Sequence, residues 1–349
     1  MNQVICVGSS GKDIFFPTDK GIILDTSEDI TSQKKLAFEL GAKYQIDDRF
    51  EALGGCAANV SAGLSRLGIK VSCCTRIGDD MLGEWIKKEL ENNEVDTSLV
   101  QTEKNCRSDL SAIVVNTGSG ERTIFFNRDA NEKLEIFPEK LKNTEWIFVS
   151  GLNGDWEKNL NAVINLAKKE KIKLAFNPGQ RNIKDNPRQI IEAIKACDLL
   201  LLNKDEAIEI IRSLQLTYLS DSPTDRSDRQ ITDNEKLNNE IFLIKKLREL
   251  GPKNIALTNG LSGVWASDDE NLFRIQATED KPVDTTGAGD AFSSAFLAAR
   301  LREMHIIESL KWGTVNGGNV VRFYGAIEGL LSVGDMEKVS KEIQVEKIM

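Results

Sequence analysis

The stretch DTTGAGD, residues 284–290, runs directly into AFSSAFLAARL at 291–301. Two threonines, two glycines and two aspartates stand before a run with the composition of a helix. Gly287-Ala288-Gly289 lets consecutive backbone amides point into one space, with the dipole of the following helix behind them. Such a corner holds an anion. Small residues early in the helix let a ligand approach closely. Asp290 is the odd member, because a carboxylate repels the anion that the amides attract. As a helix cap it is a structural residue. Facing the anion, it can take a proton from a hydroxyl that attacks a phosphorus held there. The string as a whole favours the base. No GxxxxGK[ST] loop occurs in the chain, and DTTGAGD is not GxGxxG.

Around this stretch short apolar runs alternate with amphipathic ones. VICVGS (4–9), IFVSGL (147–152), KLAFNP (173–178), DLLLLN (198–203) and NIALTNG (254–260) read as buried strands. NVSAGLSRLG (59–68), DMLGEWIKKELENN (80–93), EKNLNAVINLAKKE (157–170) and FLIKKLRELG (242–251) read as helices. That order predicts βαβ units and a mostly parallel sheet covered by helices. It also places a ligand site outside the carboxyl ends of the strands. Residues 14–50 mix β-like and polar stretches, and 106–127 alternate as a hairpin around the turn NTGSGE. Together they are expected to form a small sheet that covers a site. The polar segment 213–238 reads as a surface-loop insertion. With no internal repeat and no linker, 1–349 reads as one domain.

The chain of 349 residues is 40% hydrophobic and 28% charged, the balance of a soluble globular protein. Its longest apolar run, LLLL at 199–202, is far short of the ~20 residues of a membrane span. MNQVICVGSS carries no basic flank, so a signal peptide is not expected and a cytoplasmic location is. A net charge of -9 argues against a nucleic-acid partner. Six cysteines without CxxC spacing read as reduced thiols, not as a zinc site. The single histidine, His305, would have to serve any Ser-His-Asp or Cys-His triad, and HExxH is absent. It reads as a surface or packing residue. The chemistry is left to carboxylates, backbone amides and hydroxyls.

DTTGAGDAF resembles the C-terminal signature of the ribokinase-like (PfkB) family of carbohydrate and nucleoside kinases, and other pieces follow in the family's order. GGCAANVSAGLSRLG (54–68) resembles the first signature, which implies substrate binding by Gly54, Gly55 and Asn59. Read alone it is a strand-turn-helix. VGSSGKDIFF (7–16) resembles the strand whose end carries an Asp for substrate hydroxyls, here Asp13. Ribokinases place an Asn where this chain has Gly11 and a Lys where it has Cys56, and both departures weaken a ribose assignment. IGDDMLGEW (77–85) resembles the family's IGDDxxG segment, a structural turn and helix start. NRDANEKL (127–134) resembles the GAN-type segment near the substrate, with Asn131 in the Asn position and Asp129 replacing Gly. NKDE (203–206) resembles the N-x-x-E motif. It implies a nucleotide-side role for Asn203 and Glu206, with Glu206 organising Mg²⁺ through water. Read alone, that pair caps the next helix. LTNGLSGVW (257–265) implies that Thr258 and Gly260 border the nucleotide. TVNGGNVVRFYGA (314–326) occupies the place of the adenine-contacting loop and helix, with Asn316 and Asn319 as candidates. Asp284 and Thr286 match positions that coordinate K⁺ in family members.

The resemblance implies an α/β fold of the ribokinase-like kind, a three-layer αβα stack with a mostly parallel central sheet and a small β lid. It implies an ATP-dependent phosphotransferase that moves the γ-phosphate to a hydroxymethyl group of a small sugar. Asp290 is then the general base, and the amides of Gly287, Ala288 and Gly289 form the anion hole. ATP and Mg²⁺ are the implied cofactors, with K⁺ as activator and a homodimer through the lid. Two alternatives stay open. A nucleoside kinase needs an apolar wall, which Phe15, Phe16 and Phe126 can supply. A non-catalytic sugar or nucleotide sensor has no need of DTTGAGD and NKDE intact. A Rossmann dehydrogenase lacks its glycine fingerprint, since only Gly8 and Gly11 follow the first strand.

Overall fold

Strands without an exposed residue need cover on both faces, and Val4–Val7, Val71–Cys74 and Trp146–Val149 are buried from end to end. In the computed structural model, which describes residues 2–26, 34–220, 234–277 and 281–348, they join one large sheet. Its nine strands lie in the order Val71–Cys74, Val4–Val7, Trp146–Val149, Lys173–Phe176, Leu199–Asn203, Asn254–Thr258, Val264–Ser267, Leu272–Ile275 and Glu346–Lys347. The strands from Val71–Cys74 to Asn254–Thr258 run parallel, and the remainder add on antiparallel. Alternation along each strand feeds two separate cores. Cys6 and Phe148 pack with helices Cys56–Arg66, Met81–Asn92, Ala288–Leu301, Ile306–Val320 and Val333–Val339. Ile5, Val7, Ile147 and Val149 pack with helices Trp156–Glu170, Gln180–Asp185, Pro187–Ala196, Lys204–Ser220 and Glu240–Arg248 on the other face. This is the expected three-layer αβα stack.

Helix starts follow their caps. Asp80 accepts the Gly83 amide at 2.8 Å ahead of Met81–Asn92. His305 caps Ile306–Val320, its Nδ1 accepting the Ile307 amide at 3.3 Å while the ring meets Phe273 edge-on. The lone histidine therefore has a local structural task.

A second sheet has the order Arg122–Asn127, Leu110–Asn116, Gly11–Thr18 and Phe50–Gly54. Gly11–Thr18 leaves almost directly from Val4–Val7, so the small sheet grows out of the ligand end of the large one. The hairpin turns at Asn116–Glu121, where Gly120 adopts φ 72° and donates to the Asn116 carbonyl at 2.8 Å. Ile22–Asp25 and Lys34–Ala37 form a separate two-stranded ribbon.

The reading of 213–238 as a loop is corrected at both ends. The helix Lys204–Ser220 takes SLQLTYLS, which has no Gly or Pro to stop it before Pro223, and Asn234–Leu237 is a helical turn. Residues 221–233 of that segment, and 27–33 of the 14–50 segment, lie outside the described residues. Among the described residues no helix is long and apolar enough to cross a membrane. All six cysteines are free thiols.

Candidate active site

Gly287 is the N-cap of helix Ala288–Leu301, with φ 75°, and a Cβ there would overlap Ala326. Glycine alone meets both demands. At Gly289 nothing lies within 4 Å of a Cβ position, so the first turn opens onto free volume. The first N–H groups of a helix have no carbonyl four residues back. Amides, dipole and the missing side chain together make a corner that suits an anion. Asp290 makes no cap bond to its own helix. It instead accepts Asn59 Nδ2 at 2.8 Å, across from helix Cys56–Arg66. Desolvation pushes the half-buried Asp290 carboxyl up to about 6, against opposing hydrogen bonds from Asn59 and Cys56, while the Asp13 charge raises it further. In return the Asp290 charge, with burial, holds the Cys56 thiol protonated.

Close helix packing sets this pair. Gly63 of Cys56–Arg66 faces Ser294 of Ala288–Leu301 so tightly that a Cβ on Gly63 would overlap the serine. Asn59, one turn earlier, is thereby brought to Asp290. Its Oδ1 is buried with no protein partner.

Asp13 lies in Gly11–Thr18 and is 6% exposed; burial pushes its carboxyl up to about 6, opposed by a hydrogen bond from Ser111. Gly54 pairs across the sheet beside it, and a Cβ at Gly54 would overlap the Asp13 carboxylate. Gly55 has φ 92°, and its Cβ would lie 2.6 Å from the Ser9 carbonyl oxygen. Asn131 is buried and fully engaged. Its Nδ2 donates to the Ser10 carbonyl at 2.7 Å and to Asp109 at 2.8 Å, and its Oδ1 accepts Thr75 Oγ1 at 2.9 Å. It braces the loop after Val4–Val7.

On the opposite side Asn203 and Glu206 form a reciprocal cap: the Asn203 amide donates to Glu206 Oε2 at 2.9 Å, and the Glu206 amide to Asn203 Oδ1 at 2.9 Å. The local capping contact exists, and one Glu206 oxygen stays outside it. Burial pushes Glu206 up to about 8, with the Glu209, Asp290 and Asp205 charges adding to the rise. Thr258 and Gly260 close the strand Asn254–Thr258 at the same end of the sheet. Asn316 is wholly buried, donating to the Ala291 carbonyl at 2.9 Å and accepting the Leu331 amide at 3.0 Å. Asn319 donates to the Gly329 carbonyl at 2.7 Å. Both asparagines tie helix Ile306–Val320 to its surroundings. Asp284, also buried, accepts the Thr286 amide at 2.9 Å, Thr286 Oγ1 at 2.7 Å and the Gly325 amide at 3.1 Å.

Among the described residues no three His, Cys, Asp or Glu side chains form a metal cage. A Mg²⁺ ion here would have to take most of its ligands from phosphate oxygens and water. The crowded carboxyls of Glu206, Glu209, Asp205 and Asp290 suit it, because a cation relieves their mutual repulsion. Of these four, Asp205 also lines a cavity of about 500 Å³, together with Arg122, Lys204 and Asn259 among others. Arg122 escapes a motif-based reading. Its only sequence signal is a basic residue directly after the NTGSGE turn.

Fold and site together define an ATP-dependent carbohydrate kinase of the ribokinase-like class. The model of the pfkB family carbohydrate kinases matches residues 36–332. An ATP-dependent 6-phosphofructokinase of Thermoanaerobacterium thermosaccharolyticum is 23% identical over 96% of this chain and 98% of its own. A 5-dehydro-2-deoxygluconokinase of Clostridium botulinum is 26% identical over 83% and 84%. The solved ribokinase of Cryptococcus neoformans in complex with ADP superposes with TM-score 0.76 at 21% identity, covering 97% of this chain and 100% of its own. The Methanocaldococcus jannaschii nucleoside kinase gives 0.73 at 21% identity over 98% and 99%. The chain belongs to the pfkB family of carbohydrate kinases.

Proposed function

We propose that the protein moves the γ-phosphate of ATP to a hydroxymethyl group of a small sugar, with Asp290 as general base. One observation carries this reading: a side-chain-free corner of helix amides adjoins a carboxylate that caps nothing and whose proton affinity is raised to about 6. Asp13, the Gly55 backbone and Asn59 hold the sugar hydroxyls. The unpartnered Asn59 Oδ1 supports this, since a buried acceptor is costly until a donor reaches it. Asp290 takes the hydroxyl proton as the new oxygen–phosphorus bond forms. The bond from the γ-phosphorus to the bridging oxygen breaks, and ADP leaves with the electron pair. Amides of Gly287, Ala288 and Gly289 hold the charge on the transferred group. Mg²⁺, when bound, neutralises the phosphate oxygens, with Glu206 orienting its waters. Asn203, Thr258 and Gly260 border the nucleotide. Asp284 and Thr286 are the K⁺ candidates. The small sheet acts as a lid that excludes water, the cell compartment is the cytoplasm, and two lids meet in a homodimer.

Relatives named 6-phosphofructokinase and 5-dehydro-2-deoxygluconokinase favour a sugar acceptor. A nucleoside kinase is the second reading: of its candidate nucleobase walls Phe15 is fully buried near Tyr324, which leaves Phe16 and the exposed Phe126. The test is ADP release with ribose, fructose, 2-keto-3-deoxygluconate, adenosine and guanosine, with and without K⁺. A sugar should release ADP in step with its phosphorylation. Turnover of nucleosides alone would select the second reading, and ATP binding without any turnover would select a sensor.

A further inference from the structure

Resting on the kinase reading, we propose that Glu240, which lies outside the motifs above, is a positioning residue for the nucleotide. Through one carboxylate oxygen it ties together the two loops between which ATP is to lie. The strands Leu199–Asn203 and Asn254–Thr258 leave the large sheet side by side, with Asn203 opposite Thr258 in register. The next residue of each strand turns to the same atom. Lys204 Nζ donates to Glu240 Oε1 at 2.9 Å, and Asn259 Nδ2 donates to it at 2.7 Å. Glu240 is itself held in place, because it opens helix Glu240–Arg248, whose cap Asn239 accepts the Phe242 amide at 2.9 Å. Lys204 adds a second bond to this helix start, donating to the Asn238 carbonyl at 2.8 Å. Burial acts against charge on the Glu240 carboxyl. The Lys204 hydrogen bond and the backbone amide of Glu240 nonetheless hold it below its ordinary value, so it stays ionised. Lys204, Asn238 and Asn259 all line the cavity of about 500 Å³, so the tie forms part of the wall of free volume.

The consequence is geometric. Asn203 and Glu206 stand on the first loop, Thr258 and Gly260 on the second, and the reading above gives all four to the nucleotide. The strand ladder stops at Asn203 and Thr258. Beyond it the spacing of the loops needs a tie of its own, and a charge-assisted bond is a short and directional one. Lys204 and Glu240 are only half-buried, and ion pairs that still meet solvent add little to stability. Losing Glu240 should therefore widen the gap between the loops while the fold stands. The acceptor side, around Asp13 and Asn59, has no share in this contact.

The test compares wild type, E240A and E240Q by calorimetric ADP binding, by the KM of ATP and of the acceptor, and by thermal unfolding. E240A should bind ADP about tenfold more weakly, with the ATP KM rising to match and the acceptor KM within about twofold of wild type. Its unfolding temperature should stay close to that of the wild type. E240Q keeps an oxygen for both donors and loses the charge, so its ADP affinity should fall only about threefold. ADP affinity of E240A within about twofold of wild type would overturn the proposal. So would an equal rise in both KM values, which would mark a structural pin with no bias toward the nucleotide. If E240A does not fold, E240Q decides, and ADP affinity indistinguishable from wild type would overturn the proposal. A wild type that forms no ADP with any acceptor overturns the kinase reading itself, while the ADP affinities of the variants judge Glu240 separately.

Discussion

At Asp290 the desolvation that would suit the proposed base also strains the apo fold. Its carboxyl sits near 3.8 in an unfolded chain and is raised to about 6 in the folded one. The folded state therefore favours the protonated form. That contribution is fully present below pH 3.8 and lost as pH rises through 6. D290N should accordingly stabilise the apo protein at pH 8 by about 1–2 kcal/mol, with a smaller gain at pH 5. Thermal unfolding at the two pH values checks it; an equal shift at both would contradict the assigned pKa. For the proposed reaction the sign reverses, since a base must be unprotonated. Asp13 also titrates near 6. The logarithm of kcat/KM should fall below pH 6 with a slope approaching two, and a flat profile down to pH 5 would exclude both carboxyls. The helix corner at Gly287, with Asp290 in its first turn, was legible in the sequence because the residues that form it lie in one string. Gly54 was legible as a requirement but not in its reason: it lacks a side chain because the Asp13 carboxylate fills that space. Asn131 and Asn316 show the converse. An amide can serve a ligand or the backbone equally well, and here both are committed to the protein.

Two helices from opposite ends of the chain position the site. Cys56–Arg66 and Ala288–Leu301 approach at Gly63 and Ser294, and Asn59 reaches Asp290 because they do. G63A should push the helices apart, costing about 1–3 kcal/mol as overpacking does, and lower kcat with it. S294G in the same chain should restore both, because it empties the space that the new methyl needs. A double variant no better than G63A would show that this contact does not set the geometry. The sequence showed both helices through their periodicity but not the notch between them, since nothing local marks Ser294 as the partner of Gly63. The antiparallel strands Val264–Ser267 and Leu272–Ile275 were missed for a similar reason. Ser267 and Arg274 interrupt their apolar runs, so neither reads as the all-apolar strands of the parallel core do.

The parallel core of the large sheet was readable from alternating runs, and the lid from one hairpin, because each element is a local pattern. How lid and body meet was not, as it depends on contacts such as Thr285 with Gly120. The lid edge strand Arg122–Asn127 carries Ile124, Phe125 and Phe126 at 39%, 61% and 57% exposure. Exposed apolar edges of this kind are covered or become liabilities. Sedimentation should give twice the monomer mass for the wild type, and F125D should shift it to the monomer; a monomeric wild type would end the dimer proposal. The central claim concerns the carboxylate at the mouth of the catalytic helix, and the direct measurement is ADP release by D290N beside calorimetric ATP binding. The expected result is a loss of at least about 10³-fold in kcat, with ATP affinity nearly unchanged. Turnover close to wild type would contradict the account.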